Sequence, residues 1–135
     1  MKKKRLFLFL FFSVIVLAFG LILYRLKIPL PLELPKEIDL KSITLNDKPI
    51  FTIRVKNTSN SIVEIPRVYT SCGCTTVLEP TGGFSLGPMD SKDLKIQFDP
   101  TSMHKSGDSV YHEIYILTSK PIENEYKVGM RGNIQ

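Results

Sequence analysis

Phe51-Thr52-Ile53-Arg54-Val55-Lys56, followed at once by Asn57-Thr58-Ser59-Asn60-Ser61, is where the fold can first be read. Apolar residues occupy every second position in the first six, as expected for a strand with one face buried. The next five are turn-formers by composition. Apolar residues resume at Ile62, Val63 and Ile65, until Pro66 shifts the buried parity to Val68, which predicts a bend or bulge there. Upstream, Ile43 and Leu45 offer a shorter strand, and downstream Thr76 to Leu78 predicts a brief one before the loop Glu79-Pro80-Thr81-Gly82-Gly83.

The same period recurs to the end of the chain. Leu94, Ile96 and Phe98 alternate with polar neighbours until Asp99-Pro100 stops the run. Val110, His112, Ile114 and Ile116 share one face of the next strand, and Tyr126, Val128, Met130 and Ile134 supply a last one. No long stretch favours a period of 3.6. The expectation is an all-β, immunoglobulin-like β-sandwich of about seven strands over residues 38–135. Antibody-type bridging of the sheets is excluded: there is no tryptophan, and the two cysteines are separated by one residue.

Leu6 to Leu23 carries no charge over 18 residues. As a helix it would reach about 27 Å, close to the roughly 30 Å of a bilayer's hydrocarbon core. Lys2, Lys3, Lys4 and Arg5 precede it, so the positive-inside bias keeps the N-terminus cytoplasmic and sends the remainder across. The competing reading is a cleaved signal peptide, but Ala18-Phe19-Gly20 is a poor site and the apolar run continues beyond it. Residues 1–27 are therefore read as a basic tip and a single transmembrane anchor. Residues 28–37, with Pro29, Pro31 and Pro35, are read as an extended linker, about 25 Å long if polyproline-like.

The net charge of +5 disappears when the cations flanking that run are set aside, leaving 12 basic against 13 acidic residues from Ile28 onward. No basic stripe with interleaved aromatics remains, which argues against a nucleic-acid partner. Gly82-Gly83 lacks the lysine and helix of a phosphate loop.

Both cysteines lie in Ser71-Cys72-Gly73-Cys74-Thr75. Across the membrane a close thiol pair can be oxidised, and neighbours at i and i+2 can be bridged if Gly73 lets the chain tighten. The first reading is a structural turn that pins the loop between two strands. The second is a soft-metal site for copper or zinc at Cys72 and Cys74, and the third is thiol exchange. Met89, Met103, His104 and His112 are the available further ligands, and none has ligand-like spacing to the pair. His104 reads as a solvated loop residue, and His112 as a packed or partnered one. A cysteine–histidine hydrolase would need an orienting third group and an oxyanion site, and nothing marks either. Asn57-Thr58-Ser59 matches the N-glycosylation pattern, which matters only in a eukaryotic secretory pathway.

Lys56-Asn57-Thr58-Ser59-Asn60, the run Val68-Tyr69-Thr70 into Ser71-Cys72-Gly73-Cys74-Thr75, then Phe98-Asp99-Pro100, Gly107 and Thr118-Ser119, together resemble a widespread bacterial family, DUF1573. The resemblance covers roughly Asp39 to Gln135, and it implies a relative of the Hydin-type and major-sperm-protein-type immunoglobulin-like domains. Gly87-Pro88-Met89-Asp90-Ser91 departs from the Pro-Gly-Glu turn usual there. The family implies no established activity. The expected function is a non-enzymatic module without cofactors, held at the bacterial inner membrane with its domain in the periplasm or outside. It would work by contact with other membrane or periplasmic proteins, as an accessory subunit of a membrane complex. The alternative is a soft-metal or thiol-redox protein acting through Cys72 and Cys74.

Overall fold

A computed structural model describes residues 11–21 and 30–135 of the chain. Residues 11–21 are helical, and no helix among the described residues is long and apolar enough to cross a membrane. The rest of the expected anchor, Leu6 to Leu23, lies outside the described residues. The chain divides into two units, Met1–Leu30 and Pro31–Gln135.

The second unit is all β. Its strands are β1 (Leu32–Glu33), β2 (Glu37–Ile43), β3 (Ile50–Asn57), β4 (Val63–Ile65), β5 (Arg67–Thr70), β6 (Thr75–Glu79), β7 (Phe84–Leu86), β8 (Ser91–Phe98), β9 (Ser109–Thr118) and β10 (Asn124–Ile134). One four-stranded sheet runs β1-β3-β8-β6, the other β2-β10-β9-β5, and β4 pairs with β7 in a small separate ladder. Every neighbouring pair is antiparallel except β2 and β10, which run parallel.

The alternation read from the sequence is the alternation that is buried. Ile53 and Val55 of β3, Leu94, Ile96 and Phe98 of β8, Ile114 and Ile116 of β9 and Val128 and Met130 of β10 are completely inaccessible to solvent. These positions interleave between the two sheets, as sandwich packing requires. Pro66 is the bend expected of it: β4 on one side pairs with β7, and β5 on the other pairs with β9, so the chain changes sheet across the proline.

Three features differ from the expectation. The stretch 28–37 is not a free linker over its described part. Leu32 is buried in the core and β1 pairs with the end of β3, because the prolines suit an edge strand as well as a spacer. The strand expected at Ile43 and Leu45 begins earlier, at Glu37, and ends at Ile43. Strand β7 has only three residues, Phe84–Leu86, too few to show a period, and it lies between the loop and the turn that the sequence marks.

Asn57, the last residue of β3, is wholly buried. Its amide nitrogen donates to the carbonyls of Ser61 (2.7 Å) and Gly87 (2.8 Å), with Leu86 at 3.1 Å, while its oxygen accepts from the Ser59 amide and hydroxyl. It therefore joins the β3–β4 turn to the β7–β8 corner, and no sugar could be attached to a side chain so placed. Replacing it removes the amide bonds to the Ser61, Leu86 and Gly87 carbonyls and the acceptor that orders Ser59. Asn57→Ala is expected to cost on the order of 3 kcal/mol in urea unfolding. In the β7–β8 corner Met89 takes the left-handed conformation at φ 62°, which favours glycine, and its side chain is exposed. Met89→Gly should stabilise the domain by about 1 kcal/mol in the same assay.

Candidate functional site

The pairing registers bring the cysteine corner to one end of both sheets. In β5 and β9, Thr70 lies opposite Ile114. One step on, Ser71 and Glu113 exchange bonds: the Ser71 amide donates to the Glu113 carbonyl and the Glu113 amide to the Ser71 hydroxyl, each at 2.9 Å. One step further the register carries Cys72 to His112. On the other side Thr75 lies opposite Phe98, and the Asp99 amide donates to the Cys74 carbonyl at 2.7 Å. Four residues thus lead the chain from one sheet to the other, fixed at both ends.

Within the corner the Thr70 hydroxyl is set between the carbonyls of Cys72 (3.0 Å) and Thr75 (2.8 Å), and the Thr75 amide donates to the Cys72 carbonyl. Cys72 and Cys74 are joined as a disulfide, with their Cα atoms 5.2 Å apart. The expected role of Gly73 is not needed. Its φ lies outside the left-handed range, and a Cβ there would meet open space.

Three residues without ligand-like spacing converge on the pair. His112, half-buried, places Nε2 3.5 Å from Cys74 Sγ. Met103, exposed, places Sδ 3.5 Å from Cys72 Sγ. His104 was expected in solvent, but its side chain is only 14% exposed. It packs on Phe98 with ring centroids 5.7 Å apart, and its Nε2 lies 3.2 Å from Nε2 of His112. The cause is the short 3₁₀ turn Pro100–Ser102, which redirects the chain after β8 and returns Met103 and His104 over the end of the sandwich. Burial, and secondarily the neighbouring His104, push the His112 imidazole below its usual pKa, favouring the neutral ring. Sulfur and imidazole atoms of Cys72, Cys74 and His112 all lie within 4.8 Å of one another. Met89 does not join them, because it precedes the start of β8 and the cluster lies at its end.

Asp99 holds the turn in place. Its carboxylate accepts from the Thr101 amide (3.1 Å) and hydroxyl (2.6 Å) and pairs with Lys48 Nζ at 2.6 Å.

Beside the corner, β5 and β6 are the outer strands of their respective sheets, each paired on one side only. They flank a cleft of about 620 Å³ lined by residues that include Val68, Thr70, Thr76 and Val77. On the outer face next to it Tyr69 and Tyr115 stack 4.9 Å apart, with Arg67 over one ring and Lys127 over the other. The Tyr115 hydroxyl bonds to Glu113, which, with partial burial, pushes its pKa up to about 12.

Residues 34–134 match the family described as protein of unknown function, DUF1573. The chain belongs to the DUF1573 family. No curated protein matches it by sequence. Among solved structures it is similar to the YadV chaperone, at 9% identity and a TM-score of 0.63 over 78% of this chain and 53% of that one. A protein of unknown function from Porphyromonas gingivalis gives 18% and 0.64, over 76% and 46%. The seventh PapD-like domain of human CEP192 gives 9% and 0.59, over 78% and 85%. The DUF1573 chain thus spans about half the length of the first two. Likeness at these identities establishes the fold, a PapD-like, immunoglobulin-like sandwich.

Asp99 yields a test of the turn. Its carboxyl is held at about 2, chiefly by the bond to Lys48 and then by Thr101. Because the folded pKa lies below the unfolded value of about 3.9, its contribution is present above that value and is lost as pH falls toward 2. In Lys48→Met, Asp99 should titrate closer to 3.8 by NMR, and stability should depend less on pH between about 4 and 2.

Proposed function

We propose that this DUF1573 protein is a non-enzymatic contact module, tethered to the bacterial cytoplasmic membrane by the apolar run Leu6 to Leu23 and facing the periplasm or exterior. The observation that carries the reading is the cleft between β5 and β6. Each flanking strand is paired with its own sheet on one side only, and an extended segment of a partner can continue a sheet along such an edge. Val68 and Val77 offer apolar surface within the cleft, and the Tyr69–Tyr115 stack adds rigid aromatic surface at its margin. Aromatic and arginine side chains of this kind are enriched among the residues that dominate protein interfaces. The cleft's lining is divided between polar and apolar groups and holds none of the side chains of the cysteine corner's histidine pair, so it suits a peptide rather than a reaction.

The test is site-specific photocrosslinking of the full-length chain in its native membrane. A benzophenone side chain at Thr76, on the cleft, should capture a discrete partner, and Lys92 mixed into the crosslinker set on another strand should not. Placement of proline at Val77, which removes a donor from β6, should reduce that capture by tenfold or more while the purified chain keeps its sheet circular dichroism. Capture at Lys92 with none at Thr76 would overturn the assignment of the cleft. The absence of any partner from both positions would overturn the contact reading itself.

A further inference from the structure

We propose that Cys72, Cys74, His112 and Met103 form a binding site for a monovalent soft cation, Cu(I), made available when the Cys72–Cys74 disulfide is reduced. The inference stands apart from the contact reading and rests on the spacing of the donor atoms.

Two ligand atoms held about 2.0–2.3 Å from one ion at near-tetrahedral angles lie roughly 3.3–3.8 Å apart. Cys74 Sγ to His112 Nε2 is 3.5 Å, and Cys72 Sγ to Met103 Sδ is 3.5 Å. These are the edges of a coordination shell. Only the two cysteine sulfurs stand closer than a shared ion allows, because they are bonded to each other. The corner does not need that bond to keep its shape: Ser71 bonds to Glu113 of one sheet, Cys74 accepts from Asp99 at the end of the other, Thr75 closes back on the Cys72 carbonyl, and a ring this short adds little loop-closure stability.

The donor set selects the ion. Two thiolates with a thioether are soft ligands that favour Cu(I), imidazole accommodates it, and zinc does not ordinarily take a thioether. Met103 is 65% exposed, yet its sulfur faces the pair rather than solvent alone, so it can close the outer side of the site. His104, at 3.2 Å from Nε2 of His112, would give up that contact when the ion binds, and it remains alongside as a second imidazole.

Opening requires a dithiol reductant. One of its thiolates attacks Sγ of Cys72, the more exposed of the pair, forming a mixed disulfide and releasing the sulfur of Cys74. Its second thiol then closes its own disulfide and frees Cys72. Two electrons and two protons pass to the protein, the reductant leaves as a disulfide, and Cu(I) displaces the protons from the thiols it binds.

The experiment uses the full-length chain in mild detergent, reduced with a phosphine and desalted without oxygen, competing for Cu(I) against a chromophoric chelator. The reduced chain should take one equivalent and the oxidised chain none, with copper–sulfur scattering in the X-ray absorption spectrum. Cys72→Ser with Cys74→Ser should abolish binding, and His112→Gln should weaken it at least tenfold. Met103→Leu, on an exposed side chain that the fold does not need, should weaken Cu(I) binding at least tenfold with an unchanged thermal unfolding curve, and it serves if the other variants fail to fold. Binding by the reduced chain no tighter than by the double serine variant would overturn the site. Equal binding by the oxidised chain would overturn its redox gate, and indifference to Met103→Leu would overturn the role of Met103.

Discussion

The constraint on which this domain depends is that consecutive strands β5 and β6 belong to opposite sheets, with only Ser71, Cys72, Gly73 and Cys74 between them. So short a passage has no slack in which to hide a polar group, and an unpaired amide or carbonyl there would cost free energy. The corner answers with bonds to β9 through Ser71, to the end of β8 through Cys74 and internally through Thr70. Both sheets are thereby fixed in register at that end. The turn that follows β8 then has a firm floor on which Met103 and His104 can lie.

The fold was largely legible because its central strands are long enough to show a period. In β3, β8, β9 and β10 the alternating residues face a single core, and burial follows sequence parity. Legibility failed where elements were two or three residues long, as in β1 and β7, or where proline argued for a spacer while Leu32 was buried. A periodic signal needs more residues than these elements have.

The site was legible in its cysteines and not in their neighbours. His112 shares the inward parity of Val110 and Ile114, which predicted packing but gave no hint of the sulfur beside it. The missing information is the register of β5 against β9, which no local pattern encodes, since it follows from which strands meet. Had that pairing been assumed, with Thr70 opposite Ile114, Cys72 would have fallen beside His112. His104 was hidden for a different reason: its position depends on the path of an irregular turn held by Asp99.

The parallel pairing of β2 with β10 has a mechanical consequence. Glu37 lies beside Gly129 and Ile43 beside Ile134, so a pull upstream of β2 and downstream of β10 acts at opposite ends of the ladder. Once the two-residue β1 gives way, tension slides one strand along the other and strains many hydrogen bonds together, instead of unzipping them singly. A domain strung between two attachment points in this way resists extension as a lap joint does, by sharing the load along its whole overlap.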